Sequence, residues 1–251
     1  MNVAAGGLLR QWRQRRHLSQ QELADRAEVS TRHLSYVETG RSRPTSAMVL
    51  RLCEHLEVPL REQNQILLAA GHAPAHPDLT LSDPPMAEAN AALEAILAAH
   101  MPYPALVVDR RWELISGNDA VYSLLDGVDD DLLEPPVNVI RLSLHPRGLA
   151  PRIANLTEWR SHLAVRLRRE YDASGDPLLG ELAAEASAGG VEHVDSAALV
   201  VPLQLRVGED VLTFISTTTV FGTSREVTLS ELAIEAFYPA DDATRKYLSG
   251  Y

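Results

Sequence analysis

From Leu8 to Gly71 the apolar residues fall in short groups at spacings of three and four, the period of helices buried along one side. Leu8, Leu9 and Trp12, with Arg13, open the first group, which runs to about Arg16. Ser19, with Glu22 three residues on, forms a capping box ahead of Leu23, Ala24 and Ala27. Ser30 caps a third segment whose inner face is Leu34 and Val37, and Gly40 supplies its stop. Thr45 starts a fourth with Met48, Val49, Leu52, Cys53 and Leu56, and a fifth runs from about Pro59 to Ala70. The pattern predicts five helices. The second and third, joined by the turn "AEVS", have the form of a helix-turn-helix.

Charge separates this head from the rest. The whole chain of 251 residues carries a net −11, which by itself argues against a nucleic-acid partner. Residues 1–72 hold 10 Arg against 7 Asp and Glu, a net of +3, which leaves −14 for the remainder. A basic head on an acidic body is the layout of a DNA-reading module joined to something else. Lys246 is the only lysine, but the arginine bias runs through the whole chain and reflects a GC-rich genome more than function. There is no apolar run long enough to span a membrane and no signal-peptide order at the N-terminus, so a cytoplasmic, nucleoid-associated protein is expected. The single cysteine, Cys53, excludes an internal disulfide and reads as a small core residue.

The spacing "SQxxLAxxAxVSxxxLSxxExGxxxP" resembles the Xre/lambda-repressor-like family over about sixty residues. The resemblance implies a phosphate grip at Gln20. It places Ser30, Thr31, Arg32 and Tyr36 on the recognition helix, with Arg32 as the bidentate guanine contact. Arg41 and Arg43 would lie along phosphates and give affinity without specificity. Glu38, which DNA would repel, is expected to tether a neighbouring loop or arginine.

"GHAPAHPDLTLSDPP", Gly71 to Pro85, is rich in Pro and Asp and has no period, so it reads as a boundary. The expected organisation is a head over 1–72, a linker over 73–85 and a second domain over 86–251. His72 and His76 are too interrupted by proline to share a helical metal site. From Met86 an amphipathic helix comes first, then strand, turn at Arg110-Arg111, strand, and a helix from about Asn118. Asn155 and Glu158 look like a cap pair. Beyond them Leu156, Trp159, Leu163 and Leu167 make one apolar stripe, with Arg160, Arg166, Arg168 and Arg169 assigned to the opposite face. Asp176-Pro177 begins another helix. The run Ala197–Gly222 gives two or three strands turning at Gly208-Glu209-Asp210, and "ELAIEAFYP" gives a further short one. The expected fold class is α+β, an all-α head followed by an antiparallel sheet covered on one face.

The strand-turn-strand-Asn-helix order resembles the opening of a PAS-type sensor. "YPALVVDRRWELISGNDA", "PPVNVIRLSLHPRGLAPRIANLTEWRSHL" and "DPLLGEL" together are similar to the ligand-binding domain of MmyB-like transcription regulators. That resemblance implies a one-component regulator whose ligand is a long-chain fatty acid.

Within the second half, "NVIRLSLHPRGL" sets His145 between Arg141 and Arg147. No GxSxG, HExxH, Walker or CxxC pattern accompanies it, so no catalytic set can be assembled. His145 either shapes its own loop or, with Arg141, meets a ligand head group. Leu142, Trp159, Leu163, Phe214 and Phe221 are candidates for an apolar wall, and Asn118 and Tyr122 for polar contacts. The acidic loop Asp126–Pro136 lacks the glycine and terminal glutamate of a calcium loop and reads as solvated. No metal and no cofactor beyond a bound fatty acid is implied. The expectation is a homodimer that binds a palindromic double-stranded operator and answers to a small apolar ligand. Two other classes stay open: a helix-turn-helix fused to a lipid- or cofactor-acting enzyme, and an antitoxin-like regulator that sequesters a protein.

Overall fold

The structure, a computed structural model, describes residues 4–188 and 200–250. Its contacts divide the chain into two units. The first holds Met1–Leu79 together with Asp172–Ser174 and Thr223–Ser230, and the second holds the remainder.

The first unit contains α1 (Ala5–Arg15), α2 (Gln20–Arg26), α3 (Thr31–Glu38), α4 (Ser46–His55) and α5 (Leu60–Ala69). The capping signals form as the sequence predicts. Ser19 accepts from the Glu22 amide while Glu22 returns the bond, and Ser30 and Thr45 accept from His33 and Met48. All five helices end alike, with the amide two residues past the cap reaching five residues back. Leu18 donates to Arg13 O, Val29 to Ala24 O, Arg41 to Tyr36 O, Val58 to Cys53 O and His72 to Leu67 O. This closure needs a left-handed residue. Gly40 supplies it at φ 74°, whereas His17, Glu28 and Glu57 adopt φ of 54°, 53° and 48° despite their side chains. Leu9, Leu23, Leu34, Leu52 and Leu67 meet in one core with Cys53, whose thiol burial pushes up to about 12.

The second unit begins with α6 (Ala87–Ala99) and the pair β1 (Ala105–Val108) and β2 (Leu114–Gly117). Next come α7 (Asp119–Ser123), α8 (Val139–Leu144), α9 (Leu156–Ser174) and α10 (Pro177–Ser187). The chain finishes with β3 (Leu203–Val207), β4 (Asp210–Val220), α11 (Val227–Glu231), β5 (Ala233–Pro239) and α12 (Asp242–Ser249). The expected strand start at Ala197–Leu199 lies outside the described residues. The sheet is antiparallel throughout, in the order β2-β1-β5-β4-β3.

Several expectations change in detail. The short late strand β5 is the central one, zipped between β1 and β4. The β1–β2 connection is longer than a two-residue turn. Asp109 accepts from the Arg111 and Glu113 amides, and Trp112 sits between them at φ 65°. Asn155 bonds Glu158 at 3.3 Å but leaves the helix amides alone, reaching instead to Pro202 O and Gln204 N beside β3. Both faces of the β1–β5 pair are buried, because Val107 and Ile234 point away from α9 and α6 packs against β1.

Candidate functional site

On the head, the recognition-helix residues form a joined set. The Arg32 Nε donates to the Tyr36 hydroxyl at 3.0 Å, and its guanidinium lies 5.5 Å from the Tyr36 ring centre. Arg41, from the loop after α3, approaches the same ring at 6.0 Å. Tyr36 thus holds two arginines at one end of an exposed helix face. Thr31 donates to Gln21 Oε1 at 2.7 Å and so joins α3 to α2, and the Ser30 hydroxyl is taken up as the cap. Arg43 stands exposed in the following loop. One amide hydrogen of Gln20 goes to Glu38 Oε2 at 2.7 Å. Glu38 also takes a bidentate bond from Arg13, so its carboxylate is turned inward.

In the second unit a cavity of ≈ 110 Å³ lies between the sheet and α8 and α9. Leu142, Trp159, Leu163 and Phe214 line it, with Leu106 from β1 and Phe237 from β5. Short-range geometry sets these walls. Asn138 caps α8 through the Arg141 amide, and Trp159 Nε1 donates to Ser143 Oγ at 3.1 Å. Gly148 closes the following loop so tightly that a Cβ there would stand 2.1 Å from Leu142 O.

The remaining candidates lie off this lining. Asn118 is spent on the fold, accepting from Val121 N and Ala105 N and donating to Leu97 O and Tyr103 O. Tyr122 is 46% exposed, and Phe221 lies beyond the end of β4. Arg141 makes a bidentate pair with Glu185 of α10 at 2.7 and 3.0 Å. His145 Nδ1 accepts from the Arg147 amide at 3.1 Å, so the ring serves its own loop. Arg147 ties down the acidic loop through Asp129 and Asp131. Asn118, Arg141, His145 and Arg147 are thus engaged by other parts of the fold.

The charged groups at the cavity are not the ones expected there: the sequence reading assigns Arg166 to the opposite face of its helix, and Glu235 is not a candidate. Arg166 and Glu235 both line the cavity. Trp159 and Arg166 are seven residues apart, almost two helical turns, so Arg166 lies on the apolar stripe of α9 and not opposite it. Its Nη1 and Nη2 donate to Glu235 at 3.0 and 2.6 Å, Nη2 also to Thr218 Oγ1, and Nε to Glu170. The guanidinium lies 4.3 Å from the Trp112 ring centre, and Trp112 Nε1 donates to Glu170 at 2.8 Å. Glu235 is 3% exposed, on the cavity face of the central strand. Burial penalises the Arg166 charge, but the hydrogen bond and charge of Glu235 and the neighbouring Glu170 outweigh it and hold the pKa above its ordinary value. His162, stacked on Trp159 at 5.4 Å, is held below the ordinary histidine range by burial first and by Arg166 next. The alternation of "AIEAFYP" with Glu235 in phase with Phe237 was the signal available for this site.

Among the described residues no group of three or more His, Cys, Asp or Glu is placed to hold a metal, and no helix is long and apolar enough to cross a membrane. No curated protein sequence matches the chain. Residues 4–65 match the family model of a helix-turn-helix domain. Residues 89–249 match that of the MmyB-like transcription regulator ligand binding domain. With a helix-turn-helix at its head and that domain over more than half its length, the chain belongs to the MmyB-like transcription regulators.

Proposed function

We propose that the chain is a one-component regulator in which a long-chain fatty-acyl ligand, of the fatty-acid class, enters the cavity of the second unit and alters operator binding by the head. The observation that carries this reading is the cavity, walled by Leu142, Trp159, Leu163 and Phe214, in a chain that also holds a helix-turn-helix. At ≈ 110 Å³, with walls that are almost wholly apolar, it suits an apolar tail. The head binds a palindromic operator as a homodimer, because one recognition helix reads only a few base pairs. Chain connectivity supports a coupling between ligand and DNA. β4 and β5, which bring Phe214 and Glu235 to the cavity, are joined by residues that belong to the first unit. There Leu79 of the linker donates to Glu226 at 2.9 Å and accepts from Thr228 at 2.5 Å. A coupling of roughly 1–3 kcal/mol changes occupancy about 5- to 150-fold.

The test is extraction of the purified protein followed by mass spectrometry, with operator footprinting before and after lipid removal. A co-purifying acyl compound whose removal changes the footprint is the expected result. Recovery of no lipid, with no thermal shift on adding fatty acids of several lengths, counts against the reading.

A further inference from the structure

The cavity is apolar except where Ser143, Arg166 and Glu235 reach it, so the head of any amphiphile it takes has few groups to meet. Arg166 looks at first like an anchor for an anion. Its hydrogen bonds say otherwise. Of its five N–H donors, one goes to Glu170, two to Glu235 and one to Thr218, which leaves a single Nη1 hydrogen without a partner among the described residues. Glu235 Oε1 accepts from Arg166 and from Thr218 at 2.8 Å, while among the described residues Oε2 accepts only from Arg166, leaving one lone pair. Beside one guanidinium stand two carboxylates, Glu235 and Glu170, and the local sum is negative. A bound carboxylate would become a third on the same arginine, in a place where water screens little.

We infer that the polar end of this cavity takes an uncharged head group carrying one hydrogen-bond donor and one acceptor, so that a fatty acid binds there as the neutral acid and a fatty alcohol or primary amide binds without any proton uptake. The donor meets Glu235 Oε2 and the acceptor meets the remaining Nη1 hydrogen of Arg166. This rests on the proposed reading of the cavity as the ligand site and adds the chemistry of the head. Burying Glu235 in the middle of a central strand is costly unless it is paired, and here the pairing leaves one acceptor over.

The groups facing this point are Arg166, Glu170 and His162 from α9, Glu235 from β5, Thr218 from β4 and Trp112 from the β1–β2 connection. The test measures the affinity of the full-length, delipidated protein for decanoic acid, decan-1-ol and decanamide at several values between pH 6 and pH 8. Affinity for the acid should fall about tenfold per pH unit, because its neutral fraction falls by that factor above its own pKa. The alcohol and amide should bind with nearly constant affinity, and they serve as controls for any change in the protein itself, such as titration of His162. Glu235→Gln should flatten the slope for the acid and tighten its binding at pH 8 by at least about tenfold, since one like charge is gone. The wild-type series stands even if that variant fails to fold. Acid binding that is constant or rises with pH, while the alcohol stays constant, overturns the neutral-head inference and leaves the cavity reading intact. If none of the three probes binds at any pH, the cavity reading falls and the inference with it.

Discussion

Arg13 of α1 and Glu38 at the end of α3 form a bidentate ion pair, with bonds of 2.6 and 2.9 Å and side chains 10% and 1% exposed. The pair ties the first helix to the recognition helix, and Arg13 also donates to Leu18 O. Its guanidinium is raised above its ordinary pKa by the Glu38 hydrogen bond, against the opposing effect of burial. Glu38→Ala leaves a buried cation uncompensated and should cost about 3–5 kcal/mol, whereas Arg13→Met with Glu38→Leu should recover much of that loss. Denaturant unfolding of the two variants checks it, and equal losses would refute it.

On DNA, Arg32→Ala should abolish sequence preference, a loss of roughly 1–3 kcal/mol at the cognate base pair. Arg43→Ala should instead weaken binding to all sequences and lower the salt slope by about one. Footprints of both variants that match the wild type would show the head assignment to be mistaken.

For the cavity, each methylene added to a fatty alcohol should improve affinity by about 0.8 kcal/mol, roughly fourfold, until the tail leaves the apolar walls. Leu163→Trp fills that space and should abolish ligand binding while operator affinity without ligand stays unchanged. Isothermal titration across the chain-length series decides the point; a Leu163→Trp protein with wild-type ligand affinity would contradict it.

Glu226→Leu with Thr228→Val removes the bonds that hold Leu79. The double variant should keep its affinity for ligand and for operator but lose the effect of one on the other. Paired titrations, each with and without the second partner, measure this coupling directly.

Asp176 caps α10 and accepts from Arg111 at 2.7 Å. Burial pushes its pKa up, but the Arg111 hydrogen bond, the Leu178 amide and the charges of Arg111 and Arg110 more than offset it, so the carboxyl lies below its ordinary range. A depressed acid contributes stability above its unfolded pKa of about 4 and loses it as pH falls through the folded value. Asp176→Asn should therefore be less stable than the wild type at pH 7, with the difference shrinking below about pH 4. Unfolding curves at pH 7 and pH 3 test this.

The head was legible from the sequence because its signals are local. Caps such as Ser19, Ser30 and Thr45, the stop at Gly40 and the three-four spacing of leucines act within one or two turns. They leave little for distant residues to decide. In the second half the apolar wall was partly legible too, since Leu142, Trp159, Leu163 and Phe214 are large and in phase with their elements. The polar groups were not. Arg141, His145 and Asn118 carry the right chemistry, but Glu185, the Arg147 amide and the β1–α7 junction claim them. Arg166 and Glu235 are 69 residues apart and meet only because β5 enters the middle of the sheet opposite α9. Sequence determines which side chains can share a face of one helix or strand. Which faces meet, and so which charges stand at the cavity, is decided by long-range strand pairing that no local spacing encodes.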